Sequence, residues 1–309
     1  MSDTKFRLIT RSDFDGLVCA VLLKELDMID EIKFVHPKDM QDNKIEITAR
    51  DITTNLPYVE GCHLSFDHHL SETIRNEKAD NHIIDVNAPS AARVVYDYYG
   101  GQAKFPRISV DLIEAVDKGD SADFTRDEIL SPKGWPLLNF LMDARTGLGR
   151  FREFTISNYQ LMMELIDYCR DHTIDEILTL PHVKERVDLY FRYERDAKKQ
   201  LNRCTRIYNN VAVIDFREEE IIYPINRFTV YAMYPEINVS IHVLWGLHKQ
   251  NTVFAIGKSI LDRGSKTNVG ELCLKYGGGG HMAAGTCQVE NRMAHDVLLG
   301  LISKINEDG

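Results

Sequence analysis

The segment Phe6-Arg7-Leu8-Ile9-Thr10-Arg11-Ser12-Asp13-Phe14-Asp15-Gly16, followed by the apolar run Leu17-Val18-Cys19-Ala20-Val21-Leu22-Leu23, decides the fold class. Residues 6–10 read as a strand and residues 17–26 as a largely apolar helix buried early in the fold. Between them lies an acidic turn in which Gly16 permits the tight bend. Strand, turn and helix in this order open a βαβ unit. Working outward, residues 32–36 and 45–50 read as second and third strands, the third ending on Asp51. Residues 62–66 read as a fourth strand ending on Asp67, before the polar stretch that begins at Leu70. Residues 83–86 form a further short strand, and Ser90 caps a helix over 91–99 that stops at Gly100-Gly101. A helix from about Val110 meets Asp117-Lys118-Gly119-Asp120. Strands that alternate with helices imply an α/β fold with an open parallel sheet, in which ligands bind at the carboxyl ends of the strands.

Residues 135–180 have a helical pattern, and the Met-containing stripe over 161–169 reads as core. Pro181 interrupts, and residues 183–203 form one long, highly charged helix of the kind that joins domains. Beyond it, residues 211–215, 239–244 and 252–257 are β-rich, 227–234 a short helix, and 268–276 a helix that runs into Gly277-Gly278-Gly279-Gly280-His281. The expected organisation is a parallel-sheet domain over 1–185, a helical linker over 186–206 and a smaller α/β domain over 207–309.

The chain has 309 residues, is 44% hydrophobic and 27% charged, and carries a net charge of −10. These are values of a soluble globular protein able to bury two cores. The net negative charge argues against a broad non-specific nucleic-acid face. A small anionic substrate remains compatible, because cations and a few placed basic groups reverse the local potential. No apolar stretch of about 18 residues is present and residues 1–5 lack a signal-peptide core, so a cytoplasmic location without membrane association is expected. The six cysteines are scattered singly and read as buried thiols.

Acidic residues recur where elements end: Asp13 and Asp15, Asp51, Asp67, and Asp117 with Asp120. In a parallel sheet such ends converge on one edge. Carboxylates gathered so closely raise one another's pKa values unless cations neutralise them, and two divalent ions would do so while activating water for attack on phosphorus. In Asp67-His68-His69, one carboxylate beside two imidazoles suits Mn2+ or Zn2+, although such a triplet also occurs in solvated loops. The glycine run before His281 fits either a helix cap or linker, or a backbone nest that approaches an anion closely.

Taken together, Asp13-x-Asp15-Gly16, Asp51, Asp67-His68-His69, Asp117 and Gly278-Gly279-Gly280-His281-x-Ala283-Ala284-Gly285 resemble, in order and approximate spacing, the DHH phosphoesterase superfamily with its DHH-associated C-terminal domain. The resemblance covers nearly the whole chain and includes exopolyphosphatase-like and oligoribonuclease-like branches. It implies hydrolysis of phosphodiester or phosphoanhydride bonds with two divalent cations, Mn2+ before Mg2+. It places Asp13 on one ion, Asp15 on the other, Asp51 between them, and His68 with Asp117 on the second. Asp67 would support that shell and His69 would face the leaving group. Lys258, Gly278, Gly279, Gly280 and His281 would hold substrate phosphate. The chain departs from the family where a His commonly precedes the first Asp, since Ile9 and Arg11 stand there. Arg11 would then contact substrate phosphate or pair with Asp13, leaving the first ion weakly held or lost.

The expected function is therefore a metal-dependent phosphohydrolase working in the cleft between domains. Its substrate would be small and phosphate-rich: polyphosphate, a short oligonucleotide or a nucleoside bisphosphate. Short single-stranded nucleic acid and a homodimer partner stay open. The alternative is an anion- or nucleotide-binding regulatory protein on an impaired DHH scaffold, motivated by Ile9 and Arg11.

Overall fold

The computed structural model describes residues 5–309, so residues 1–4, part of the stretch read above as lacking a signal-peptide core, lie outside the described residues. The chain divides into two compact units, residues 5–123, 133–144 and 149–187 in the first, and residues 124–132, 145–148 and 188–309 in the second. The division falls inside the long helix Pro181–Cys204. Pro181 opens that helix, a position where its missing N–H is harmless. The helix is no solvated rod: Val183, Arg186, Leu189, Tyr190, Ala197, Gln200 and Leu201 are buried along it.

The first unit is built on a five-stranded sheet in the order β2-β1-β3-β4-β5. Its strands are β1 Phe6–Arg11, β2 Ile29–Val35, β3 Asp51–Thr54, β4 Leu64–Asp67 and β5 His82–Ile84, and every neighbouring pair is parallel. The chain winds one way from β1 to β2 and the other way from β1 to β3, which makes the β1/β3 carboxyl ends a topological switch point. The helix Phe14–Glu25 is buried from Phe14 to Leu23, as its apolar run Leu17–Leu23 requires, and it carries Asp15 into the interior with it. The helices Ala91–Tyr98, Val110–Asp120 and Asn158–Asp171 pack around it. A side chain at Gly16 would bring its Cβ to 2.0 Å from the Arg11 carbonyl oxygen, so only glycine fits the turn that starts this helix.

The third strand corrects the sequence reading. Ile45 and Ile47 alternate like strand residues, yet they pack beside a small cluster of Ile9, Val35, Met40 and Leu56 without joining the sheet. The strand is instead Asp51–Thr54, buried throughout, and it begins rather than ends on Asp51. The stretch after His69 is a short helix, Leu70–Arg75.

The second unit carries a six-stranded sheet ordered β10-β11-β9-β8-β7-β6. Its strands are β6 Thr205–Tyr208, β7 Val211–Asp215, β8 Val239–Trp245, β9 Asn251–Lys258, β10 Gly279–His281 and β11 Ala284–Glu290. Only β7 and β8 run parallel. Val213, Ile241, Val243 and Phe254 of the sheet share a core with Leu272 and Cys273 of the helix Val269–Leu274 and Leu301 and Ile305 of the helix Ala294–Asp308.

Candidate active site

The carboxyl edge of the first sheet gathers acids and imidazoles from β1, β4 and the helices that follow. Asp13 caps the helix Phe14–Glu25, its Oδ1 accepting from the Gly16 amide at 2.9 Å. Arg11, the last residue of β1, places Nε 2.8 Å from Asp13 Oδ2. Asn55 follows β3 in a left-handed conformation at φ 53°, which asparagine tolerates, and its Nδ2 donates to Asp13 Oδ1 at 3.2 Å.

Asp15 is 2% exposed. Its two oxygens accept from the Ala91 and Ala92 amides, at 3.0 and 2.7 Å, at the N-terminus of the helix that Ser90 caps. Burial and the neighbouring Asp120 and Asp13 push its carboxyl well above the ordinary range, against the help of His68 and the Ala92 amide. His68 lies across from it. Its Nδ1 is 3.1 Å from the Ala88 carbonyl and its Nε2 is 3.0 Å from Asp120 Oδ2. Burial opposes a charge on this imidazole, but Asp120 and Asp15 outweigh it and raise His68 to about 9. Asp15, His68 and Asp120 each offer a ligand atom within 4.8 Å of the others.

Asp67 ends β4 and is fully buried. Its Oδ1 accepts from the His68 amide at 2.8 Å and from His69 Nδ1 at 2.7 Å, while its Oδ2 is buried without a partner. The bond to Asp67 fixes the His69 proton on Nδ1 and leaves Nε2 of this half-exposed ring for an outside group.

Two expected ligands stand elsewhere. Asp51 is paired with Arg7 at the amino edge of the sheet, about 13 Å of strand rise before position 55, and does not bridge ions at the carboxyl edge. Its oxygens accept from Arg7 Nε at 2.6 Å, from an Arg7 terminal nitrogen at 3.0 Å and from the Thr48 amide at 2.7 Å. Asp117 is likewise displaced from the cation set, because Ser90 Oγ at 2.7 Å and Arg93 Nε at 2.9 Å engage its oxygens. Asp120, three residues on and so on the same helix face, stands in the cluster instead. The i, i+3 spacing of the two acids carried that signal. Asn55 had a weaker one, an asparagine directly after the β-branched run Ile52-Thr53-Thr54.

In the second unit the glycine run has a mostly structural explanation. Gly277, at φ 73°, donates to the Leu274 carbonyl and Gly278 to the Cys273 carbonyl, the paired bonds of a Schellman cap. The Gly278 amide is therefore not offered to an anion, a correction to the expected nest. A Cβ at Gly278 or Gly280 would also sit 2.1 or 2.3 Å from a carbonyl oxygen of β11, whereas Gly279 meets nothing. Beside this hairpin, Lys258 donates its amide to the Ala283 carbonyl at 2.9 Å and its Nζ to the Thr267 carbonyl at 3.1 Å. His281 is exposed and accepts from the Ala283 amide through Nδ1 at 3.3 Å.

A parallel sheet with acids and paired imidazoles on its carboxyl edge, followed by a second α/β unit, defines the class. Among solved structures, the RecJ of Thermus thermophilus in complex with Mg2+ shares this fold, with a TM-score of 0.52 at 11% identity over 98% of this chain and 50% of that one. The pGpG-specific phosphodiesterase PggH from Vibrio cholerae aligns far more closely, with a TM-score of 0.87 and 62% identity over 99% of this chain and 100% of that one. The chain therefore belongs to the DHH phosphoesterase superfamily, in one family with that phosphodiesterase, and is a phosphohydrolase of small substrates. No model of a protein family and no curated protein sequence matches it. Among the described residues no helix is long and apolar enough to cross a membrane.

Proposed function

We propose that the chain hydrolyses pGpG, a linear dinucleotide, at its internal phosphodiester to give two guanosine monophosphates. The observation that carries this reading is the 62% identity to a pGpG-specific phosphodiesterase across both full chains. Polyphosphate and nucleoside bisphosphates, also expected from the sequence, lack such support.

The residues fit a divalent cation at Asp15, His68 and Asp120: two carboxylates and an imidazole offer atoms within 4.8 Å of one another. A Mn2+ or Mg2+ ion bound there supplies Lewis-acid polarisation of a phosphoryl oxygen and acidifies a water. The remaining work falls to the chain. The Ala91 and Ala92 amides fix the Asp15 carboxylate in one orientation, and the Ala88 carbonyl holds the His68 proton on Nδ1 so that Nε2 is free to ligate. Asp67 holds the Nδ1 edge of His69 and so turns its Nε2 edge outward, where it can pass a proton to the departing 3′ oxygen. Arg11 supplies a cation beside Asp13 that neutralises this end of the edge.

The direct test incubates the purified protein and Mn2+ with pGpG, pApA, GpG lacking the 5′ phosphate, longer oligonucleotides and polyphosphate, and resolves the products by chromatography. Guanosine monophosphate from pGpG at a rate well above every other substrate is expected. Faster turnover of any other member of the panel would overturn the assignment.

We also retain Lys258 and His281 as contacts for a substrate phosphate that does not react. His281→Ala is then expected to raise KM several-fold and leave kcat within a factor of about two, because an interaction equal in ground and transition states affects binding alone. A fall in kcat of about 10²-fold, as for loss of a donor to developing charge, would place the imidazole on the reacting phosphate instead.

A further inference from the structure

The family to which the chain belongs implies two cations, and the residues around Asp13 do not fit the first. A divalent ion needs several anionic or lone-pair donors turned toward one point. Here the candidates are apolar, distant or already engaged. Ile9 is fully buried in an apolar cluster with Val35, Met40 and Leu56 and offers no donor. Asp51 is held by Arg7 at the far edge of the sheet. Arg11 sets its guanidinium 2.8 Å from Asp13, and Asn55, 1% exposed, turns its amide donor to the same carboxylate, which leaves its buried Oδ1 without a partner and pointing away from Asp13. Flipping that amide would face its oxygen to Asp13 and oppose two acceptors, so Nδ2 stays inward. Arg11 and Asp13 sum to zero charge, whereas Asp15 and Asp120 together match a divalent ion once His68 is neutral.

We propose that this enzyme works with one divalent cation, held by Asp15, His68 and Asp120, and that the Arg11 guanidinium and the Asn55 amide close the second metal position around Asp13. The inference rests on the functional reading above for its first cation but not for the closure of the second position. A guanidinium carries only N–H donors and no lone pair for a metal, so it fills the position and cannot share it with an ion. It also changes what Asp13 does: its carboxylate serves as helix cap and anchor of a cation that carries five N–H donors able to meet phosphate oxygens. In this arrangement a fixed side chain stands where relatives would recruit a metal from solution.

The test is metal stoichiometry of the full-length protein, loaded with Mn2+, desalted and assayed by plasma mass spectrometry, with circular dichroism confirming the fold of each variant. The wild-type chain is expected to retain one equivalent. Asp13→Asn should keep it, since asparagine caps the helix equally well, and Asp120→Asn should lose it. The double variant Arg11→Ala/Asn55→Asp, which removes the guanidinium and adds a carboxylate, should rise toward two. Two equivalents in the wild-type chain, or loss of metal in Asp13→Asn, would overturn the single-cation inference while leaving the proposed hydrolysis intact. No bound Mn2+ in the wild-type chain would overturn the inference together with the cation assigned under the proposed function.

Discussion

Asp120→Asn is expected to lower kcat/KM for the dinucleotide by about 10³, the scale of loss when one member of a cooperating catalytic set is removed. The asparagine keeps the size of the side chain at the end of the helix Val110–Asp120, but it withdraws one of the two negative charges that face His68. With that charge gone, the His68 imidazole and the Asp15 carboxylate no longer balance a divalent ion. Structural damage is not expected to contribute. Asp120 is one of the groups that push the buried Asp15 carboxyl upward, so neutralising it relieves repulsion within the metal-free protein. Loss of the Asp120 partner of His68 opposes that gain, so thermal stability without metal should change little while activity is lost. Steady-state kinetics beside thermal melts of the metal-free protein check both halves. Retention of more than about a tenth of the activity would remove Asp120 from the reaction.

Asp51→Asn is expected to show the opposite pattern: a loss of about 2–3 kcal/mol in unfolding free energy, with turnover per folded molecule preserved. Asp51 is completely buried and holds Arg7 through two nitrogens, joining β1 to β3 at the amino edge of the sheet. An amide leaves the guanidinium without a counter-charge, at the lower end of the cost of breaking a buried pair because Arg7 reaches solvent. The pH dependence has a definite sign. Burial raises the Asp51 carboxyl, but the Arg7 and Thr48 hydrogen bonds outweigh it and hold the group below the ordinary carboxylate value of 3.8. Its stabilisation is thus fully present above that unfolded value and is lost as pH falls through the lower folded value. Urea titrations at pH 7 and at pH 3 should show the wild-type advantage over the variant shrink on acidification. A variant that melts like wild type yet fails to turn over substrate would restore Asp51 to the active site.

These two aspartates also mark how far the sequence could be read. The strand, acidic turn and apolar helix over residues 6–26 announced the parallel sheet, because a helix with seven consecutive apolar residues after a short strand has few alternatives. Asp15, Asp67, His68 and His69 were legible for the same reason, as polar residues at the ends of buried elements. Asp51 was not, because a strand's direction is clear only once its first residue is known, and Ile45 and Ile47 imitate a strand they do not form. Asp117 misled by a single helical turn. The spacing named the right face of the helix, but only packing reveals that Arg93 and Ser90 engage one acid and leave the other to His68. The glycines before His281 combined two demands, a helix cap and a tight hairpin, that a one-dimensional pattern cannot separate from an anion nest.

Everything proposed for the first unit depends on a working cation held between Asp15, His68 and Asp120. Crystals of the protein grown with Mn2+ and measured at the manganese absorption edge test it most directly. An anomalous peak is expected at about 2.0–2.3 Å from His68 Nε2 and from carboxylate oxygens of Asp15 and Asp120, the span of ordinary metal–nitrogen and metal–oxygen bonds. A strongest peak out of reach of Asp15, or one ligated by Asp13 with Arg11 swung away, would contradict it.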